Sequence, residues 1–166
     1  MFGGRVSERL PGGKRRNGQP AVHTSAVQIV SKLPGNDPTV YDIAGGAPFF
    51  AALVDAFYAR VEADPVLLRL YPEPHDLGPA RARLTLFLIQ YWGGPNTYND
   101  QRGQPRLRMR HAPYAIGPTE RDHWMAAMRS ALAELDPIPE LRERFDAYFV
   151  MAADSMINQP ETDRVP

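Results

Sequence analysis

No cysteine occurs anywhere in this chain of 166 residues. Disulfides, thiolate metal sites and a cysteine nucleophile are excluded at once, and the composition suits a reducing, cytoplasmic setting. Long apolar runs are missing too. None reaches the roughly 20 residues that a membrane-spanning helix needs, and the stretch from Ala21 to Val30 is broken by His23, Thr24, Ser25 and Gln28, so it is no signal-peptide core. No segment of residues 41–166 alternates apolar and polar residues at period two, so the strand signature is lacking. There is no repeat of solenoid length, no glycine loop of the Walker or dinucleotide pattern, no His-Glu-x-x-His and no Gly-x-Ser-x-Gly. The histidines at 23, 75, 111 and 123 lack helical ligand spacing relative to one another, and without thiols an ordinary zinc site is not expected.

Net charge is also absent, since 19 basic residues face 19 acidic ones, and nucleic acid is not an expected partner. The charge is unevenly spread. Residues 1–40 hold six basic and two acidic residues, which leaves 13 basic and 17 acidic residues in a mildly acidic body. Gly3-Gly4, Pro11-Gly12-Gly13, Gly18 and Pro34-Gly35 punctuate the first segment too often for an ordered element. Residues 1–38 therefore read as a flexible, disordered basic tail, with at most a brief strand or helix over 27–32.

What is present is helical periodicity. At Tyr41-Asp42-Ile43-Ala44-Gly45-Gly46-Ala47-Pro48 the paired glycines make a tight corner and the proline suits a helix's first turn. Phe49, Leu53, Phe57 and Val61 then fall four apart, with Ala52, Ala56 and Tyr58 beside them, and the helix ends near Asp64-Pro65. A short helix is expected over 66–70 and a loop over 75–79. Ala80, Leu84, Phe87, Leu88 and Tyr91 form the next stripe, which Gly93-Gly94-Pro95 ends, and residues 96–104 read as a polar loop. A later stripe carries Trp124, Ala127, Met128, Ala131, Leu132 and Leu135. The last carries Leu141, Phe145, Tyr148, Phe149, Ala152 and Met156, and it fades at Asn158. The spacing predicts an all-α domain over 40–158, followed by a C-terminal tail over 159–166.

Between the polar loop and the Trp124 helix, three arginines at alternate positions (106, 108, 110) lead to His111. Pro105 can open a helical turn and Pro113 should stop one, so His111 lies near the end of a short helix, with Leu107 four residues back on its face. A histidine near a helix end is more often capped or structural. An inward imidazole rimmed by cations also suits haem, a flat apolar cofactor with a central metal and carboxylates at its edge.

Three stretches decide between these readings: Tyr41-Asp42-Ile43-Ala44-Gly45-Gly46, Tyr91-Trp92-Gly93-Gly94-Pro95 and Arg106-Leu107-Arg108-Met109-Arg110-His111-Ala112-Pro113. In this order and at these separations, residues 40–158 resemble the group II (O-type) truncated haemoglobins of bacteria. The resemblance implies a truncated globin fold, a two-over-two α-helical sandwich that holds haem b. It implies His111 as the proximal iron ligand, and Tyr58, Tyr71 and Trp124 as distal residues, their phenol O–H and indole N–H groups able to donate to a bound ligand. Ala80 aligns where larger globins usually place a distal histidine. Leu84 and Leu88 are expected to line the cofactor pocket, with Met109 also assigned to it, and Arg83 and Arg110 are the candidates for the haem propionates. Arg81, Arg106 and Arg108 read as solvated, and His75 as an exposed loop residue.

Two functions fit. The first is reversible binding of dioxygen and other diatomic ligands such as CO and NO, for oxygen binding, transport or sensing, with no catalytic residue assigned. The second is a haem-based redox enzyme with peroxidase-like or nitric oxide dioxygenase activity, although no distal acid–base histidine is evident. A third reading, a cofactor-free helical interaction module, leaves the two tyrosines, Trp124 and the arginine-flanked His111 without a purpose. Besides the ligands, an unidentified reductase and a second copy of the chain in a homodimer are the expected partners.

Overall fold

The structure, a computed structural model, describes residues 37–160. The expected basic tail, save its last two residues, and most of the C-terminal tail lie outside the described residues. So does the element expected over 27–32. The described chain runs through α1 (Val40–Ala44), α2 (Ala47–Ala63), α3 (Pro65–Leu68), α4 (Gly78–Tyr91), α5 (Thr97–Arg102), α6 (Leu107–His111), α7 (Pro118–Leu135) and α8 (Pro139–Met156). No strand occurs among the described residues, as the missing period-two pattern predicted.

Proline places the helix starts. It occupies the first turn of α2, α3, α4, α7 and α8, where its fixed φ suits a helix and its missing N–H costs no bond. Five of the chain's 17 prolines are placed in this way. Asp64 ends α2 and caps α3 with one carboxylate, accepting from the backbone N–H groups of Val66 at 2.8 Å and Leu67 at 3.3 Å. Thr39 caps α1 in a reciprocal box with Asp42, so the ordered domain reaches back at least one residue before Val40.

The long helices α2, α4, α7 and α8 form the sandwich, with α2 packed on both α4 and α7, and α7 on α8. Phe50, Leu53, Val54, Phe57 and Val61 of α2, Met128 and Ala131 of α7, and Phe145 of α8 are wholly buried. The α2 stripe keeps Leu53, Phe57, Tyr58 and Val61 inward, but Phe50 and Val54 join them in the core, Phe49 is half-buried and stacked on Phe145, and Ala52 is exposed.

The two Gly-Gly corners form one contact. Tyr41 N–H donates to Trp92 O at 2.9 Å, which lays the first corner on the second. A Cβ on Gly94 would lie 2.8 Å from Tyr41 Cδ2 and 2.9 Å from the Ile89 carbonyl oxygen. A Cβ on Gly93, whose φ is +98°, would meet Thr39 Cβ at 2.6 Å. The glycines here permit close backbone approach between segments some fifty residues apart in sequence.

Two elements depart from the sequence expectation. Most of the segment expected as a polar loop over 96–104 is helix α5, with Tyr98 buried on its inner side. A single aromatic residue among five polar ones leaves no stripe to read. The other is α4, which begins at Gly78, inside the loop expected over 75–79.

Candidate functional site

A cavity of about 490 Å³ opens between α2, α4, α6, α7 and α8. On one side stands His111, the last residue of α6. Its Nδ1 lies 2.8 Å from the carbonyl oxygen of Leu107, one turn earlier. A carbonyl can only accept, so Nδ1 carries the proton and Nε2 is left as a free acceptor. The α6 helix puts these two groups on one face because residues four apart are neighbours.

The same wall carries an aromatic cluster. Tyr58 of α2 is 3% exposed, and its ring meets that of Tyr71 at 5.8 Å. Trp124 of α7 is wedged between Phe57 at 5.3 Å and Phe149 at 5.7 Å. Burial pushes the Tyr58 phenol up, partly offset by its hydrogen bond with Tyr71 and by the positive charges of Arg83 and Arg81. Burial, reinforced by Tyr58, drives Tyr71 well above the ordinary phenol range. Both rings therefore keep their protons at neutral pH. Ala80, Leu84 and Leu88 of α4 line the cavity with apolar surface, and Ala80 offers no polar group.

A family model described as bacterial-like globin matches residues 39–158. The chain belongs to that family. It is similar to a thermostable haemoglobin of the actinobacterium Thermobifida fusca, at 52% identity and a TM-score of 0.72, over 75% of this chain and 100% of that one. It is similar to a truncated oxygen-avid haemoglobin of Bacillus subtilis, at 34% identity and a TM-score of 0.69, over 73% and 100%. It is also 35% identical over 118 residues to group 2 truncated hemoglobin YjbI of Bacillus subtilis (strain 168), covering 71% of this chain and 88% of that one. The two-over-two sandwich is the truncated globin fold, and the group II resemblance read from the motifs holds.

As a globin, the protein is a ligand-binding haem protein, and the donor set of this cavity fits that cofactor. One imidazole, its Nδ1 engaged by the Leu107 carbonyl, stands on a wall that is mostly apolar. Four arginines, Arg83, Arg102, Arg110 and Arg121, also reach it. Arg110 is committed in part to its own backbone. Its Nε donates to Pro105 O at 2.8 Å and its Nη2 to Arg102 O at 3.0 Å, which braces the turn before α6. Arg121 Nε lies 2.8 Å from Asp154 Oδ1, an ion pair not aligned as a hydrogen bond.

Nine of the ten expected site residues (His111, Tyr58, Tyr71, Trp124, Ala80, Arg83, Leu84, Leu88 and Arg110) share the cavity wall. Met109 does not. It is 67% exposed and off the cavity, because a residue two positions before His111 points to the opposite side of the helix. Arg81 is not solvated as expected: it pairs with Asp55 and Glu62 of α2, and its guanidinium lies 5.4 Å over the Tyr58 ring. Tyr98, Arg102, Glu120, Arg121 and Tyr148 also line the cavity and were not singled out. Tyr98 and Arg102 sit on the helix that the sequence hides. Tyr148 lay on a stripe read as plain core. His123 stands apart, its Nδ1 2.7 Å from Asp64 Oδ2, and no group of side chains suited to a metal ion occurs among the described residues.

Proposed function

We propose that this globin holds haem b with His111 as the proximal ligand and binds dioxygen reversibly, along with other diatomic ligands such as CO and NO, for oxygen binding, transport or sensing. The observation that carries the reading is the Nδ1–H to Leu107 carbonyl bond at 2.8 Å, which fixes the tautomer an iron ligand requires. Haem held by His111 would supply an iron centre for diatomic ligands.

The chain's own residues do the rest. His111 keeps its proton at Nδ1 and offers Nε2. Burial keeps the Tyr58 and Tyr71 phenols protonated, so an O–H group can donate to a ligand in the cavity. Trp124 adds an indole N–H that can only donate. Together they favour a ligand that gains negative charge when bound, in keeping with the oxygen-avid description of the Bacillus subtilis relative. Arg83 and Arg110 serve the propionates, with Arg102 beside them. An unidentified reductase keeps the iron ferrous in the cytoplasm. Among the described residues His111 is the one histidine on the cavity wall, since His75 and His123 lie elsewhere, so the peroxidase-like reading lacks its acid–base group.

His111→Gly should lose most of its haem, and added imidazole should restore the spectrum. A variant that keeps the wild-type Soret band and ligand kinetics sinks the assignment.

A further inference from the structure

The helix that carries His111 cannot hold itself in place. At five residues α6 is far below the length at which an isolated helix is stable. Its N-cap, Arg106, has φ +40° and makes no side-chain capping bond. What secures the far side of His111 comes from the other end of the domain. Just past the end of α8, the Asn158 carboxamide reaches the turn that follows α6. Its Nδ2 donates to Tyr114 O at 2.8 Å and to the carbonyl oxygen of His111 itself at 3.3 Å. Its Oδ1 accepts from Ile116 N–H at 3.1 Å. The backbone joins in, because Asn158 N–H and Gln159 N–H both donate to Ile116 O, at 2.9 and 3.0 Å.

We infer that Asn158 is a positioning residue for the proximal histidine, acting through the backbone of residues 111–116 rather than by touching the cofactor. The inference rests on His111 being the iron ligand. His111 is then fixed at two points: the imidazole by Leu107 O, and the carbonyl by Asn158. The ring cannot turn about its own bond without breaking the first, and its helix cannot roll without breaking the second. Only a carboxamide of this length suits the task. Aspartate has the acceptor without the donors, serine has a single donor, and glutamine places the same group one methylene too far.

The test uses full-length holoprotein, with Asn158→Ala and Asn158→Asp, and three readouts. These are the iron–histidine stretching band of the ferrous protein, the rate of haem transfer to an acceptor apoglobin, and amide hydrogen exchange at Ile116. Asn158→Ala should shift or broaden the band, speed haem transfer by about ten-fold or more, and speed exchange at Ile116 by about as much, as expected for losing three modest hydrogen bonds. Asn158→Asp separates the two halves of the contact. It keeps the acceptor for Ile116, so protection there stays near wild type, yet it faces two carbonyl oxygens with a carboxylate, so haem transfer is at least as fast as in the alanine variant. Both variants retaining the wild-type band and transfer rate would overturn the role. So would a loss of helix content throughout the domain, because Asn158 would then be holding the fold and not the turn. A wild-type protein that takes up haem without an iron–histidine band overturns the histidine reading itself, and is told apart by needing no variant.

Discussion

Trp124 is the residue at which donor chemistry and bulk are hardest to separate. Its ring fills space between Phe57 and Phe149, and its indole N–H can only donate. Removing the ring would open the pocket and remove the donor together. Trp124→Phe keeps most of the volume, so it isolates the hydrogen bond. Such a bond to a charged acceptor is worth roughly 1.5–3 kcal/mol, about one to two decades in rate. Oxygen dissociation should therefore be about ten-fold faster or more, with association changed much less, as read by stopped-flow mixing. Tyr58 can re-aim its hydroxyl in compensation. The double change Trp124→Phe with Tyr58→Phe should then exceed the sum of the singles in free energy. An unchanged dissociation rate with much faster carbon monoxide entry would make Trp124 a steric gate.

Among the elements, the two glycine corners show what a motif can hide. Gly94 reads as a helix terminator in sequence, but its structural demand is the space against Tyr41 and the Ile89 carbonyl. Gly94→Ala should cost about 1–3 kcal/mol, because overpacking against backbone cannot be relieved by a rotamer change. Thermal unfolding of the holoprotein would show a fall of several degrees. A melting temperature within a degree of wild type would mean that the corners part freely. Helix α5 makes the converse point. Its inward residue, Tyr98, is invisible as a pattern because one turn and a half of helix presents only one residue to the core.

Over the whole molecule, hydrogen-bonded carboxylates and buried phenols set a pH window. At Asp64 and Glu120 burial raises the carboxyl, but the His123 ring and the Val66 and Leu67 N–H groups at the first, and the Gly117 N–H and Arg69 at the second, bring it below the ordinary value. At Asp146 the Arg129 guanidinium lowers it directly. A carboxyl lowered in the folded state binds its proton first in the unfolded chain. Its stabilisation is therefore complete above the ordinary carboxylate value of about 4 and is lost as pH falls below it. The phenols act with the opposite limb. Burial raises Tyr58, Tyr71 and Tyr148, so above the ordinary phenol value of about 10 the unfolded chain ionises first and stability declines. Urea midpoints across pH should trace a plateau with a fall at each end. Asp146→Asn should flatten the acid limb, and a limb of unchanged slope would show that Asp146 carries no part of it.

The sequence by itself determined the helical class, four long helices with most of their inward faces, and nine of the residues that meet at the cavity. Each of these is written in a local period or in a motif of a few residues, and hydrophobic spacing converts directly into a buried face. Tertiary structure alone decided the finer placement. It moved Arg81 from solvent onto Asp55 and Glu62 and over the Tyr58 ring. It brought Asn158 under the turn after His111. These contacts join groups far apart in sequence. Nothing in a local pattern says which of many polar side chains will find a given backbone group, because that choice is made only when the helices pack.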